Sequence, residues 1–143
     1  VEGKVALRMA GPVLACDYRI ALDGTTFWFA SRERPVAPAG GALWFLTRLV
    51  GPAKTVELVL EGAPIDAHEA RRLGLVDLVT STEGGEAEAL AAARRLAELP
   101  RQTLRQLKRA MVASCERLGT YFDREAATLA RETPSLVHGG GAE

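Results

Sequence analysis

The sequence is 143 residues long and 48% hydrophobic, the size and apolar content of one domain with its own core. Its eighteen basic and eighteen acidic side chains cancel, and the arginines form no patch interleaved with aromatics, which excludes charge-driven binding to nucleic acid, anionic membrane or acidic partners. Cys16 and Cys115 lie too far apart to read as a disulfide framework, and with His68 and His138 they give no metal-ligand spacing, so buried thiols in a reducing, cytoplasmic setting and no metal site are expected.

The first residues show no charged-then-apolar leader, and no apolar run reaches the ~18–20 residues needed to span a bilayer. From Pro12 to Ala21 the chain is apolar apart from Asp17, Tyr18 and Arg19, which predicts a short helical segment running into a buried strand at residues 18–21. Asp23-Gly24 signals a turn, and Thr25-Thr26-Phe27-Trp28-Phe29 is rich in strand formers. Two prolines and two glycines between Ser31 and Gly41 predict an ordered loop, the kind of segment that carries sites on a scaffold.

Helices follow. Residues 42–50 form one, closed by Gly51-Pro52, and residues 53–61 another, closed by Gly62. Asp66 with Glu69 reads as a capping-box analogue opening a helix that stops at Gly74. A short apolar strand is predicted at residues 75–80, in one sheet with those at 18–21 and 27–29. Helices then occupy residues 86–99, 101–117 and 120–131. One places Leu90, Ala93 and Ala97 on a face, the next Leu104, Leu107, Met111 and Cys115; such faces pack on the same chain or on a neighbouring subunit. The organisation expected is a core over residues 1–82, a helical oligomerisation region over 83–132, and a disordered tail over 133–143 ending in a glycine run.

The anchors between Ala15 and Val76 are regularly spaced. They run Ala15-Cys16-Asp17-Tyr18-Arg19-Ile20-Ala21, Phe27, Pro38, Gly40-Gly41 and Leu46-Thr47-Arg48-Leu49-Val50-Gly51. Glu57-Leu58-Val59-Leu60-Glu61-Gly62, Ile65-Asp66-Ala67-His68-Glu69-Ala70 and Gly74-Leu75-Val76 complete them. This pattern resembles the crotonase superfamily, the enoyl-CoA hydratase/isomerase proteins, over about residues 11–132. The resemblance implies an α/β fold, part of a ββα spiral followed by a helical region that assembles trimers or hexamers, and it corresponds to the latter part of a family member. By that correspondence the strand giving the family's first oxyanion donor and the loop that wraps the CoA adenine are not expected among these residues, and the sheet is expected to show an open apolar edge prone to pairing.

The resemblance further implies an acyl-CoA thioester as substrate or ligand, a lyase or isomerase reaction of fatty acid metabolism, and no cofactor beyond the coenzyme A carried by the substrate. It places the helix-opening turn that polarises the thioester at Leu7-Arg8-Met9, with the donor N–H on Arg8 and Met9 beside the substrate. The family's two acid–base glutamates fall on Gly11 and Ser31. Glycine has no group to offer and serine needs a base, so Glu33, two residues on, is either a displaced acid/base or a solvated charge between Arg32 and Arg34. Pro38, Ala39 and Gly40 match the loop lining the substrate. Lys108 matches a family lysine that meets CoA phosphates or merely solvates its helix. Trp28, Trp44 and Phe45 line an acyl pocket or belong to the core; His68 is expected exposed. Two readings stand: an acyl-CoA enzyme with oxyanion stabilisation by backbone N–H, or a non-catalytic acyl-CoA-binding or assembly subunit without the two glutamates.

Overall fold

In the computed structural model, which describes residues 1–29, 39–113 and 118–132, the N-terminal residues join two small sheets. β1 (Lys4–Ala6) runs parallel to β3 (Thr26–Trp28), which pairs antiparallel with β4 (Ile65–Asp66). The second sheet pairs β2 (Ile20–Leu22) with β5 (Leu78–Thr80) in parallel, Ala21 opposite Val79. The single sheet expected from the sequence is thus divided in two. The Asp23-Gly24 turn causes it: the Thr25 N–H donates to the Leu22 carbonyl at 2.9 Å, and the Thr26 N–H then donates to Gly3 at 2.9 Å. The chain leaves β2 at once and is taken up by β1.

α1 (Leu7–Leu14) buries Leu7, Ala10, Gly11 and Leu14 and holds Pro12 inside it. The sequence suggests a helix beginning near Pro12. It begins earlier because Pro12 deletes only one backbone bond, to the Arg8 carbonyl, while the preceding turn adds Leu7 and Ala10 to the core. Cys16 lies just past the Ala15 C-cap, off that buried face, and is exposed with its thiol 3.4 Å from the Pro12 carbonyl. The expectation of a buried thiol there is corrected; Cys115 lies outside the described residues.

α2 (Ala42–Glu61) contains both expected helices, bent at Gly51, where φ is 79° and ψ 164°. α3 (Ala67–Arg72) is opened by Asp66, whose carboxylate accepts from the Glu69 N–H at 2.7 Å. The Glu69 side chain turns to Arg72 instead of completing a reciprocal box. Leu75 and Val76 are buried outside β5, because the Leu75 N–H closes onto the Ala70 carbonyl at 2.8 Å. A clip then sets the register of β2 with β5: Asp77 accepts from the Arg19 backbone N–H at 2.7 Å and from its guanidinium at 3.2 Å.

α4 (Gly85–Ala97), α5 (Arg101–Ala113) and α6 (Leu118–Glu132) complete the chain. α4 buries Gly85 and Ala92, while Leu90 is 51% exposed, so the expected Leu90/Ala93/Ala97 face is not the packed one. Gly85 decides this: an added Cβ would stand 2.3 Å from Leu22 Cδ2, so the helix comes closest to β2 where it has no side chain. On α5, Leu107 and Met111 remain exposed. The core collects Val5, Phe27, Phe29, Leu46, Leu75 and Val76, with the Phe27 and Phe29 rings stacked 6.4 Å apart. Among the described residues no helix is long and apolar enough to cross a membrane.

Candidate functional site

The first turn of α1 follows directly on β1, so the strand fixes the direction in which the helix starts. Its N-cap, Ala6, offers no side-chain acceptor, and the N–H groups of Leu7, Arg8 and Met9 are too early to have helical partners. The Arg8 amide sits second in that turn, at the positive end of the helix, where an oxyanion is stabilised. Arg8 and Met9 are exposed and Leu7 is buried, so the core anchors the turn from one side only.

α1 meets the Gly40-Gly41 turn backbone to backbone. A Cβ on Gly11 would lie 1.9 Å from the Gly40 carbonyl oxygen and 2.7 Å from its carbon. A Cβ on Gly40 would lie 3.5 Å from the Arg8 carbonyl oxygen, the acceptor that Pro12 leaves without its helical donor. The Gly40 peptide therefore fills the space that any side chain at position 11 would need. Ala39, half-buried, accepts from the Ala42 N–H at 3.4 Å to close the turn.

Gly41 is the N-cap of α2, with φ at 73° and no side chain to cap it. α6 supplies the acceptor. Both carboxylate oxygens of Glu125 lie within reach of the Gly41 N–H, at 3.2 and 3.1 Å. One helical turn earlier, Tyr121 hydrogen-bonds to Glu125 and to the backbone of Trp44, in the first turn of α2. Phe122 lies on the same turn, its Cζ 3.0 Å from where a Gly41 Cβ would stand. The phenol of Tyr121 is pushed up to about 12, by burial first and then by the charge and hydrogen bond of Glu125. It stays protonated at neutral pH and donates to the carboxylate.

The structure thus brings together Arg8, Met9, Gly11, Ala39 and Gly40. Ser31, Glu33 and Pro38 lie outside the described residues. Lys108 stands apart from the turn, its Nζ 2.6 Å from Asp17 Oδ1. His68 is exposed, as expected, with Nε2 3.6 Å from Asp23. Trp28 lies beneath Lys4, 5.7 Å from its Nζ, and Trp44 beneath Arg48 at 4.2 Å, both half-buried. Among the described residues no cluster of His, Cys, Asp and Glu could hold a metal ion. A groove of about 340 Å³ between α1 and α4 is lined by Val13, Cys16, Ile20, Ala92 and Leu96, and by none of Arg8, Met9, Gly11, Ala39, Gly40 and Lys108. Sequence reasoning missed Glu125 and Tyr121. Their i,i+4 spacing put them on one helix face, but nothing local pointed to a partner 84 residues away.

Comparison with known proteins identifies the fold and the family. Residues 6–136 match the enoyl-CoA hydratase/isomerase family model. A probable enoyl-CoA hydratase of Mycobacterium leprae is 37% identical over 103 residues, covering 72% of this chain and 40% of the relative. One from Rhizobium meliloti is 36% identical over 103 residues, with the same coverage of 72% and 40%. Among solved structures, an enoyl-CoA hydratase/isomerase from Pseudoalteromonas atlantica superposes with a TM-score of 0.84 at 27% identity, over 93% of this chain and 54% of that one. A putative enoyl-CoA hydratase/isomerase from Acinetobacter baumannii gives 0.81 at 26% identity, over 92% and 58%. The chain spans about 40% of the length of these curated relatives. With its strands, bent helix and helical C-terminal region matched over most of its length, the chain has the crotonase fold and belongs to the enoyl-CoA hydratase/isomerase family.

Proposed function

We propose that this chain forms part of an acyl-CoA site and acts as an enoyl-CoA hydratase/isomerase, polarising the thioester carbonyl with the Arg8 amide. The observation that carries this reading is the position of that N–H, second in the first turn of α1 and without a helical acceptor. As the thioester becomes an enolate, charge develops on its oxygen, and a preorganised backbone donor contributes about 2.7–4 kcal/mol to such a transition state. Gly40, exposed and without a side chain, gives the acyl chain an edge of bare backbone. The substrate is an acyl-CoA of fatty acid metabolism, no cofactor is needed beyond the coenzyme A it carries, and further copies of the chain are the expected partners. Lys108 is the candidate contact for a CoA phosphate, exchanging Asp17 for it.

Titration calorimetry with crotonyl-CoA and acetyl-CoA tests binding, and loss of the conjugated enoyl absorbance tests water addition. Because the donor is backbone, Arg8→Ala should leave crotonyl-CoA affinity within about threefold, less than 1 kcal/mol. Absence of binding by the unsubstituted chain would sink the proposal. A second reading, a non-catalytic thioester-binding or assembly subunit, draws support from the close packing of Gly11 on Gly40, which leaves no room there for a carboxylate. Binding without turnover of any acyl-CoA would favour it.

A further inference from the structure

We propose that Glu125 is a positioning residue that selects which way the Gly40-Gly41 peptide faces, and that this peptide turns over toward α1 when α6 lifts. One trans peptide unit meets both partners. Its carbonyl, from Gly40, points at α1: the oxygen lies 1.9 Å from where a Gly11 Cβ would stand. Its N–H, from Gly41, points the other way and donates to the two Glu125 oxygens at 3.2 and 3.1 Å. Gly41 is buried, and a buried N–H needs an acceptor, so the carboxylate fixes the plane of the whole peptide.

A second acceptor lies on the α1 side. The Arg8 carbonyl oxygen is 3.5 Å from where a Gly40 Cβ would stand, and Pro12 has no N–H to give it. Rotation by about half a turn, through ψ of Gly40 and φ of Gly41, takes the Gly40 oxygen away from Gly11 and carries the Gly41 N–H toward Arg8. Both residues that rotate are glycines, and Gly41 leaves a φ of 73° for the ordinary negative region. The Gly40 carbonyl carbon, 2.7 Å from the Gly11 Cβ position, stays near the axis of rotation, so the room of one oxygen atom opens there. α2 need not move. Its first-turn bond, from the Phe45 N–H to the Gly41 carbonyl at 3.1 Å, lies beyond the rotating bonds. Two orientations, each with its own acceptor, make the peptide a two-state element.

α6 is suited to be the element that moves. Its half-buried residues, Leu118, Tyr121, Glu125 and Leu129, form one stripe at helical spacing. None of its described residues is fully buried, and a helix held so lightly opens at low free energy. Tyr121 adds to the hold, bonded to Glu125 and to the backbone of Trp44. Docking of α6 thus decides whether the turn presents a carbonyl or an N–H to α1 beside Gly11, and this control needs no bound thioester.

Nuclear magnetic resonance of the isotope-labelled full chain reads the surroundings of the Gly41 amide proton. Without substitution it should show Overhauser contacts to the Glu125 γ-protons and none to the Gly11 α-protons. Glu125→Ala removes the first acceptor. The Gly11 contact should then appear, together with a cross-hydrogen-bond coupling from the Gly41 nitrogen to the Arg8 carbonyl carbon. Pro12→Ala gives that carbonyl a helical donor, so in the Glu125→Ala/Pro12→Ala chain the Arg8 coupling should leave Gly41 and appear at position 12. A turn that merely loosened would not respond to position 12. Glu125→Leu, which keeps bulk at that position, is read in the same way should Glu125→Ala lose its far-ultraviolet dichroism. A folded Glu125→Ala or Glu125→Leu chain with neither the Gly11 contact nor the Arg8 coupling overturns the proposal. So does a coupling between Gly41 and Arg8 that survives Pro12→Ala, or a Gly11 contact already present in the unsubstituted chain.

Discussion

An added methyl at Gly11 would stand 1.9 Å from a carbonyl oxygen and 2.7 Å from its carbon, and neither atom belongs to a side chain that can rotate away. Gly11→Ala must therefore push α1 off the Gly40-Gly41 turn. Overpacking of this kind costs about 1–3 kcal/mol, and a backbone collision belongs at the upper end. The expected result is a lowered urea midpoint at constant m-value; an unchanged midpoint would mean the two backbones are further apart. It follows that Gly11→Glu does not recreate an acid–base group, since the larger side chain meets the same peptide before its carboxylate can be placed. Tyr121 offers a second test. Its phenol is raised to about 12 from an ordinary value of 10.0, so its protonated form is favoured by folding. The stability it contributes is fully present below pH 10 and is lost as pH rises through about 12. With Tyr18 replaced by Phe, the ultraviolet titration of Tyr121 should show its midpoint near 12, and Glu125→Gln should move that midpoint down by removing the adjacent charge. A Tyr121 midpoint at the ordinary phenol value would separate α6 from the turn.

Elements announced by punctuation in the sequence were legible, and those fixed by distant partners were not. Gly51-Pro52 predicts a break between two helices, and α2 bends at that glycine, while Asp66 caps α3 as its spacing with Glu69 suggested. β1 and β4 span three and two residues, too short for any periodicity, and exist because β3 lies between them. β5 starts at Leu78, later than the apolar run suggests, because Asp77 donates its N–H to the Arg19 carbonyl at 2.8 Å across 58 positions of sequence. The site divides the same way: Arg8, Gly11, Ala39 and Gly40 were placed by the family pattern, whereas Glu125 reaches Gly41 only through the folded path of α6. The bend in α2 yields a prediction at this scale. Gly51 has φ 79° and ψ 164°, a region open essentially to glycine alone. Gly51→Ala should cost about 1–3 kcal/mol, read as a lowered midpoint in denaturant. A variant as stable as the parent would show that the two halves of α2 can align without strain.

The molecule as a whole leaves its C-terminal helices unevenly covered. Leu96 and Leu99 near the end of α4 are 42% and 45% exposed, and on α5 Leu107, Met111 and Val112 are 54%, 45% and 69% exposed. Leu104, Leu107 and Met111 nonetheless recur at three and four residues, the spacing of a stripe that covers an apolar partner. Of the two sources of cover that the sequence left open, the chain itself does not bury Leu107 and Met111. Contiguous exposed apolar surface of this kind marks an association site. The chain's net charge of zero at pH 7 adds no long-range repulsion between copies. The expectation is self-association through α5, visible in sedimentation velocity as a concentration-dependent species heavier than one chain. Replacing Leu107 and Met111 together by Glu puts charge into the centre of that stripe. With Leu107 54% and Met111 45% exposed within the single chain, the substitution should leave the far-ultraviolet dichroism of the isolated chain in place while driving the sedimentation profile to the monomer. An assembly that survives both substitutions would have to be built on another face, and a monomer at all concentrations would leave α5 without the covering partner that its sequence pattern implies.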